Sequence, residues 1–214
     1  VLVDGFLATQ AGAVGAQPNG SARMRLVANI DANGRIAATA NGFSLGPTLF
    51  SPTVGSYTLV PAGDLTMTAT VNSTPVHPPS LDGLKAVAGA DLTLLAVGPA
   101  GGPSFYLIID DNTLPGSGMA KLRLVNGVSG LAENIRLTAN FFQLANDVAP
   151  GTASAPASVL GGLISPLVVS TTQTNTQLYQ ITDKSLSSLS VYSLFSLGNN
   201  AAPGNAVGAL IRDR

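Results

Sequence analysis

The chain contains no cysteine, no tryptophan and one histidine. Without cysteine there can be no disulfide framework, thiolate metal site, cysteine nucleophile or lipid-bearing N-terminal cysteine, so stability must come from packing and strand pairing. Charge is scarce: 10% of residues carry one and the formal net charge is -1. That leaves no electrostatic footprint for nucleic acid and no polybasic patch for an anionic membrane. Long apolar runs are missing too. Although 45% of residues are hydrophobic, they are Ala, Val and Leu scattered among Ser, Thr, Asn and Gly. No run approaches the ~20 residues of a spanning helix, so no membrane insertion is expected. The sequence begins at Val1 and not at methionine, which suggests a removed signal peptide or a longer precursor, with an extracellular or cell-surface location.

What the chain does have is a repeat. Ala22-Arg23-Met24-Arg25-Leu26-Val27 returns as Ala120-Lys121-Leu122-Arg123-Leu124-Val125, and Thr39-Ala40-Asn41-Gly42-Phe43 as Thr138-Ala139-Asn140-Phe141-Phe142. Asp91-Leu92-Thr93-Leu94-Leu95 is answered by Ser188-Leu189-Ser190-Val191-Tyr192, and Phe105 to Asp111 more weakly by Gly208 to Asp213. Solenoid periods run to ~20–50 residues, so a period this long signals a duplicated domain. The expected division is a 1–20 extension, a first repeat over 21–112, a 113–118 linker rich in Pro and Gly, and a second repeat over 119–214. Within the first repeat, strand-like runs are Ala22 to Ile30, Arg35 to Thr39, Ser56 to Val60, Leu65 to Val71, Leu84 to Val87, Leu92 to Val97 and Phe105 to Ile109. The second offers Lys121 to Val125, Ile135 to Phe142, Leu167 to Thr171, Gln177 to Ile181, Ser187 to Leu194 and Val207 to Ile211, with an irregular loop over 149–158 and at most one helical turn over 158–164. Short strands punctuated by turn signals predict two all-β antiparallel sandwiches.

The opening ARMRLVAN and AKLRLVNG strands, the middle strand led by Pro61-Ala62-Gly63, the late DLTLLAVG and the closing FYLIIDDN resemble the secreted prokaryotic domain-of-unknown-function family 4397, often found as tandem copies. The resemblance covers the first repeat nearly whole and the second mainly at its ends, where Pro166-Leu167-Val168-Val169 stands in for the Pro-Ala-Gly turn and strand. It implies two tandem immunoglobulin-like sandwiches on an exported protein and brings no catalytic residues. The N-terminal extension and the Ala/Pro loop of the second repeat depart from it.

Candidate chemistry is sparse. His77, in Pro75-Val76-His77-Pro78-Pro79, has no second His or Cys to complete a metal site and reads as part of a stiff exposed loop. Asp110-Asp111-Asn112 and Asp31-Ala32-Asn33-Gly34 could offer oxygen ligands to calcium. Adjacent strand residues point to opposite faces, however, so the pair reads as a solvated strand end. Arg23 and Arg25, like Lys121 and Arg123, share one strand face while Met24/Leu26 and Leu122/Leu124 face the core. That stripe is either a docking surface repeated in both domains or, the simpler reading, the polar side of a sandwich strand guarding against edge pairing. The serines lack a credible base, and Gly98-Pro99-Ala100-Gly101-Gly102 lacks a P-loop lysine. No catalytic residue, cofactor or metal site is expected.

The extension is unusual for a terminus. Val1, Leu2, Val3, Phe6 and Leu7 are apolar on both strand faces and precede a small-residue stretch, Ala11 to Ala16. Burying these five side chains would contribute roughly 8–15 kcal/mol before entropy is subtracted. The segment can fold back onto its own sandwich or add as a strand to another copy, which would give a head-to-tail homopolymer. The expected function is therefore a non-enzymatic exported structural protein, a subunit of an extracellular filament or surface layer. The alternative is a monomeric surface module binding carbohydrate or protein.

Overall fold

A computed structural model of the chain describes residues 20–201 and 204–214. The proposed assembly residues Val1, Leu2, Val3, Phe6 and Leu7 lie outside the described residues. The fold is all-β, with helix among the described residues limited to 3-10 turns such as Asp31–Asn33 and Pro79–Leu81.

In the first repeat one sheet is ordered closing strand (Ser104–Asp110), late strand (Asp91–Gly98), opening strand (Ser21–Ile30), with Thr53–Val54 and Thr58–Pro61 pairing the far side of the opening strand. A second sheet joins Phe43–Ser44, Arg35–Ala40, Met67–Val71 and Thr74–Val76. Between them lies a core that includes Met24, Leu26, Ile30, Ile36, Met67, Leu92 and Leu94. The second repeat reproduces this. Ala157–Leu160, Met119–Asn126, Ser190–Gly198 and Ala206–Arg212 form one sheet; Phe142–Val148, Ile135–Ala139, Leu167–Thr171 and Gln177–Ile181 form the other. Leu122, Leu124, Ile135, Leu137, Leu167 and Leu194 fill its core.

Four expectations are corrected. The sheets are not antiparallel throughout: each opening strand runs parallel to its late strand, Arg23 opposite Asp91 and Lys121 opposite Val191. The intervening second sheet supplies the long crossover that a parallel pair requires. This pairing also moves the repeat register. Asp91 corresponds to Val191 and Thr93 to Ser193, three residues on from the sequence echo at Ser188, because Leu189 takes a left-handed backbone (φ 56°) and the strand begins only at Ser190. Finally, the helical turn over 158–164 is absent. Ala157–Leu160 and Gly162–Ile164 are strands, since Gly161 and Gly162 disfavour helix and the β-branched and apolar residues find partners at 119–122 and 184–186.

The run Ile135 to Phe142 is likewise broken by a hairpin turn. Asn140 and Phe141 both adopt positive φ (48° and 68°), as Asn41 and Gly42 do in the first repeat (50° and 80°), so a new strand starts at Phe142.

Candidate functional site: an ionic seam between the repeats

Alternation along the opening strand sends Met24, Leu26, Ala28 and Ile30 into the first repeat's own core. Arg23, Arg25, Val27 and Asn29 take the opposite face, and that face is also buried. It packs against the second repeat, where Val27, Leu95 and Ile108 meet Val125, Phe195 and Leu197 in a third apolar cluster. The sheets carrying the opening strands are therefore covered on both sides.

Beside this cluster the two repeats exchange charges. Arg25 Nη1 donates to Asp213 Oδ1 at 2.5 Å, and Arg123 Nη2 donates to Asp110 Oδ1 at 2.5 Å. Two longer contacts, Arg25 Nη2 to Asp110 Oδ2 at 3.7 Å and Arg123 Nη2 to Asp213 Oδ2 at 3.9 Å, close a ring of alternating sign. A hydroxyl braces each half. Arg25 Nε donates to Thr93 Oγ1, which donates to Asp110 Oδ2; Arg123 Nε donates to Ser193 Oγ, which donates to Asp213 Oδ2. The strand pairing makes Thr93 and Ser193 equivalents, so one constellation is written twice and each repeat completes the other's. Both arginine and both aspartate side chains are at most 2% exposed. Two positive and two negative charges sum to zero, which such burial requires.

The first repeat extends the seam. Arg23 makes a bidentate pair with Asp91 at 2.7 and 2.5 Å, and Asn112 Nδ2 donates to Asp91 Oδ2 at 2.7 Å. The Tyr57 hydroxyl donates to Asp110 Oδ2 at 2.5 Å, and its ring lies 4.5 Å from the Arg25 guanidinium, whose other neighbour is the Phe195 ring at 4.8 Å. Burial opposes the charge on Arg25, but Asp213, followed by Tyr57 and Asp110, more than offsets it and holds the guanidinium above its ordinary pKa. Burial pushes the Tyr57 phenol well above its ordinary value, with Arg25 opposing and Asp110 adding to the rise. At the far end Asn29 Nδ2 donates to the carbonyls of Gly127 and Gly198 at 2.6 and 2.7 Å, and Asn29 Oδ1 accepts from Gly198 N at 2.9 Å.

The simpler sequence reading of two positions is overturned. The Arg23/Arg25 and Arg123 faces are not solvated, because the partner surface is the other repeat. Asp110 is not a solvated strand end; it is the acceptor on which Arg123, Thr93 and Tyr57 converge. Asp111 does point the other way, as alternation demands, and is exposed. Hydrogen bonding from Thr113, ahead of that from Lys121 at 3.3 Å, holds its carboxyl below the usual range. His77 lies in an exposed loop with Nε2 2.9 Å from Asp82 Oδ1. Among the described residues no group of three His, Cys, Asp or Glu is placed to hold a metal ion. Comparison with protein-family models and with curated proteins returned no match to this chain.

Proposed function

We propose that the chain is a non-enzymatic structural protein of the cell exterior, a subunit of a filament or surface layer whose copies join through β-strand addition by the N-terminal segment. The observation that supports this reading is the seam. Six charged side chains are buried among the described residues, Arg23, Arg25, Asp91, Asp110, Arg123 and Asp213, and all lie in it. A chain with few charges thus spends its most chemically capable groups on one another, locking two repeats into a stiff block. Stiff blocks suit a polymer that must transmit load along its length, and an apolar segment bearing Val1, Leu2, Val3, Phe6 and Leu7 supplies a strand able to reach a neighbour. Membership of the secreted family that the opening and closing strands resemble is part of the same proposal.

The test compares the intact chain with one lacking residues 1–16, by negative-stain imaging and sedimentation. Filaments or sheets from the intact chain, and folded monomers from the deletion, are expected. Leu2→Asp together with Phe6→Asp should weaken assembly without unfolding the repeats. An intact chain that stays monomeric at high concentration, or a deletion that still polymerises, would overturn the proposal.

A further inference from the structure

A cleft of about 310 Å³ opens where the two repeats meet at the ends of their opening strands. Its volume is at the small end of the range for ligand sites, which favour such junctions. Asp31, Ser104 and Tyr106 line it from the first repeat, and Asn126, Ser129 and Gly151 are among the residues lining it from the second.

The walls are fixed by hydrogen bonds. Asn29 holds Gly127 through its carbonyl, Ser129 N donates to Gly198 O at 2.9 Å, and Gly151 N donates to Asn126 O at 2.8 Å. Gly127 is closely packed: a Cβ there would meet Leu197, Leu95 and the Ser196 carbonyl at 3.0 to 3.2 Å, so those neighbours would have to give by a few tenths of an ångström. Gly151 is packed so tightly on the Tyr106 ring that a Cβ would lie 2.4 Å from it. Against these fixed walls, the side chains of Asp31, Ser104 and Tyr106 make no hydrogen bond to any described residue. The turn carrying Asp31 is itself held in a costly shape, with Ala32 and Asn33 at φ 54° and 56°; strain of this kind clusters at binding sites.

We infer that this cleft is a binding site for a short, neutral saccharide. No Lys, Arg or His lines it, which disfavours anionic ligands. One carboxylate can accept two vicinal hydroxyls, and two hydroxyls, on Ser104 and Tyr106, can each donate and accept, matching the mixed character of sugar hydroxyls. An ammonium ligand would gain only a partly exposed ion pair, which solvent screens. The inference is independent of the assembly reading, because the lining residues it uses all lie among the described residues of one chain.

The test titrates isotopically labelled intact chain, held at a concentration where sedimentation shows it unassembled, with maltotriose, cellotriose and chitotriose and follows amide shifts. Saturable shifts confined to Asp31, Gly98, Ser104, Tyr106, 127–130 and Gly151 are expected with at least one trisaccharide. Asp31→Asn should weaken that binding by about tenfold or more, as loss of hydrogen bonds to a charged acceptor does, and Tyr106→Phe should weaken it less. Phe141→Ser, on a distant hairpin tip, should leave it unchanged. Absence of saturable shifts with all three sugars, shifts spread over the surface, equal binding by Asp31→Asn, or tighter binding of ethanolamine than of any sugar would each overturn the inference. Loss of polymerisation on deleting residues 1–16 would not affect it.

Discussion

Replacing Asp213 with Ala tests the seam most directly. Its carboxylate receives Arg25 Nη1 and the Ser193 hydroxyl at 2.5 Å each. Without it, Arg25 keeps only Thr93 as a hydrogen-bond partner among the described residues, since Nη2 has none there and merely faces Asp110 at 3.7 Å. The four-charge ring then carries two buried arginines against one buried aspartate. Breaking a buried pair from one side costs about 3–5 kcal/mol. For a chain of this length each kcal/mol lowers Tm by roughly 2–4 °C, so a fall of about 6–20 °C is expected. Urea unfolding followed by far-ultraviolet circular dichroism and tyrosine fluorescence gives the free energy. The companion variant removes both partners: Arg25→Met with Asp213→Leu should lie within about 2 kcal/mol of the parent, because apolar replacement of a whole buried pair is often neutral. A double-mutant cycle over these sites then isolates the coupling. If Asp213→Ala costs less than about 1 kcal/mol, the pair behaves as a solvated surface bridge and the reasoning about the seam fails.

Three smaller perturbations probe other parts of the same frame. Asn29→Ala should cost about 1–3 kcal/mol, read as a lower urea midpoint at unchanged slope, because it strips the Gly127 carbonyl and the Gly198 N–H of a shared partner. Phe141→Gly should stabilise by about 1 kcal/mol: Phe141 is 86% exposed at φ 68°, where the first repeat carries Gly42 at φ 80°; an unchanged or lower midpoint would show that the Phe141 ring contributes contacts that outweigh its backbone strain. Burial holds the phenols of Tyr57 and Tyr179 above their ordinary value, Asp110 adding to the rise at Tyr57 and Ser196 opposing it at Tyr179. A raised folded pKa means their contribution is complete below the unfolded value of about 10 and declines as pH climbs beyond it. Alkaline titration followed in the near ultraviolet should therefore show at least two of the four tyrosines ionising only as the chain unfolds.

Many of the strands were legible in the sequence to within a few residues because their period-2 pattern is set by a core that each repeat makes with itself, but Thr74–Val76, most of Phe142–Val148, Ala157–Leu160 and Gly162–Ile164 were not. Ala22 to Ile30 is found at Ser21–Ile30, and Leu167 to Thr171 and Gln177 to Ile181 are found unchanged. The seam was half legible. Alternation correctly put Arg23 and Arg25 on one face and separated Asp110 from Asp111, but alternation says only that a face differs from the core, not whether water or another sheet covers it. The signal that could have decided was reciprocity. Arg25 and Arg123 recur at equivalent places in two opening strands, and Asp110 and Asp213 recur where the strands Ser104–Asp110 and Ala206–Arg212 end, so each repeat carries a matched arginine and aspartate able to pair with those of the other. Thr93 and Ser193 were hidden by the three-residue register error, and Tyr57 lies in a region with no echo. An apolar patch could hold two sheets together with equal strength, but it would tolerate sliding along the strand axis. Two arginine–aspartate pairs, linked to each other through Thr93 and Ser193, fix that register, because sliding by one residue, about 3.3 Å, would carry each arginine away from its aspartate and leave buried charges unpaired.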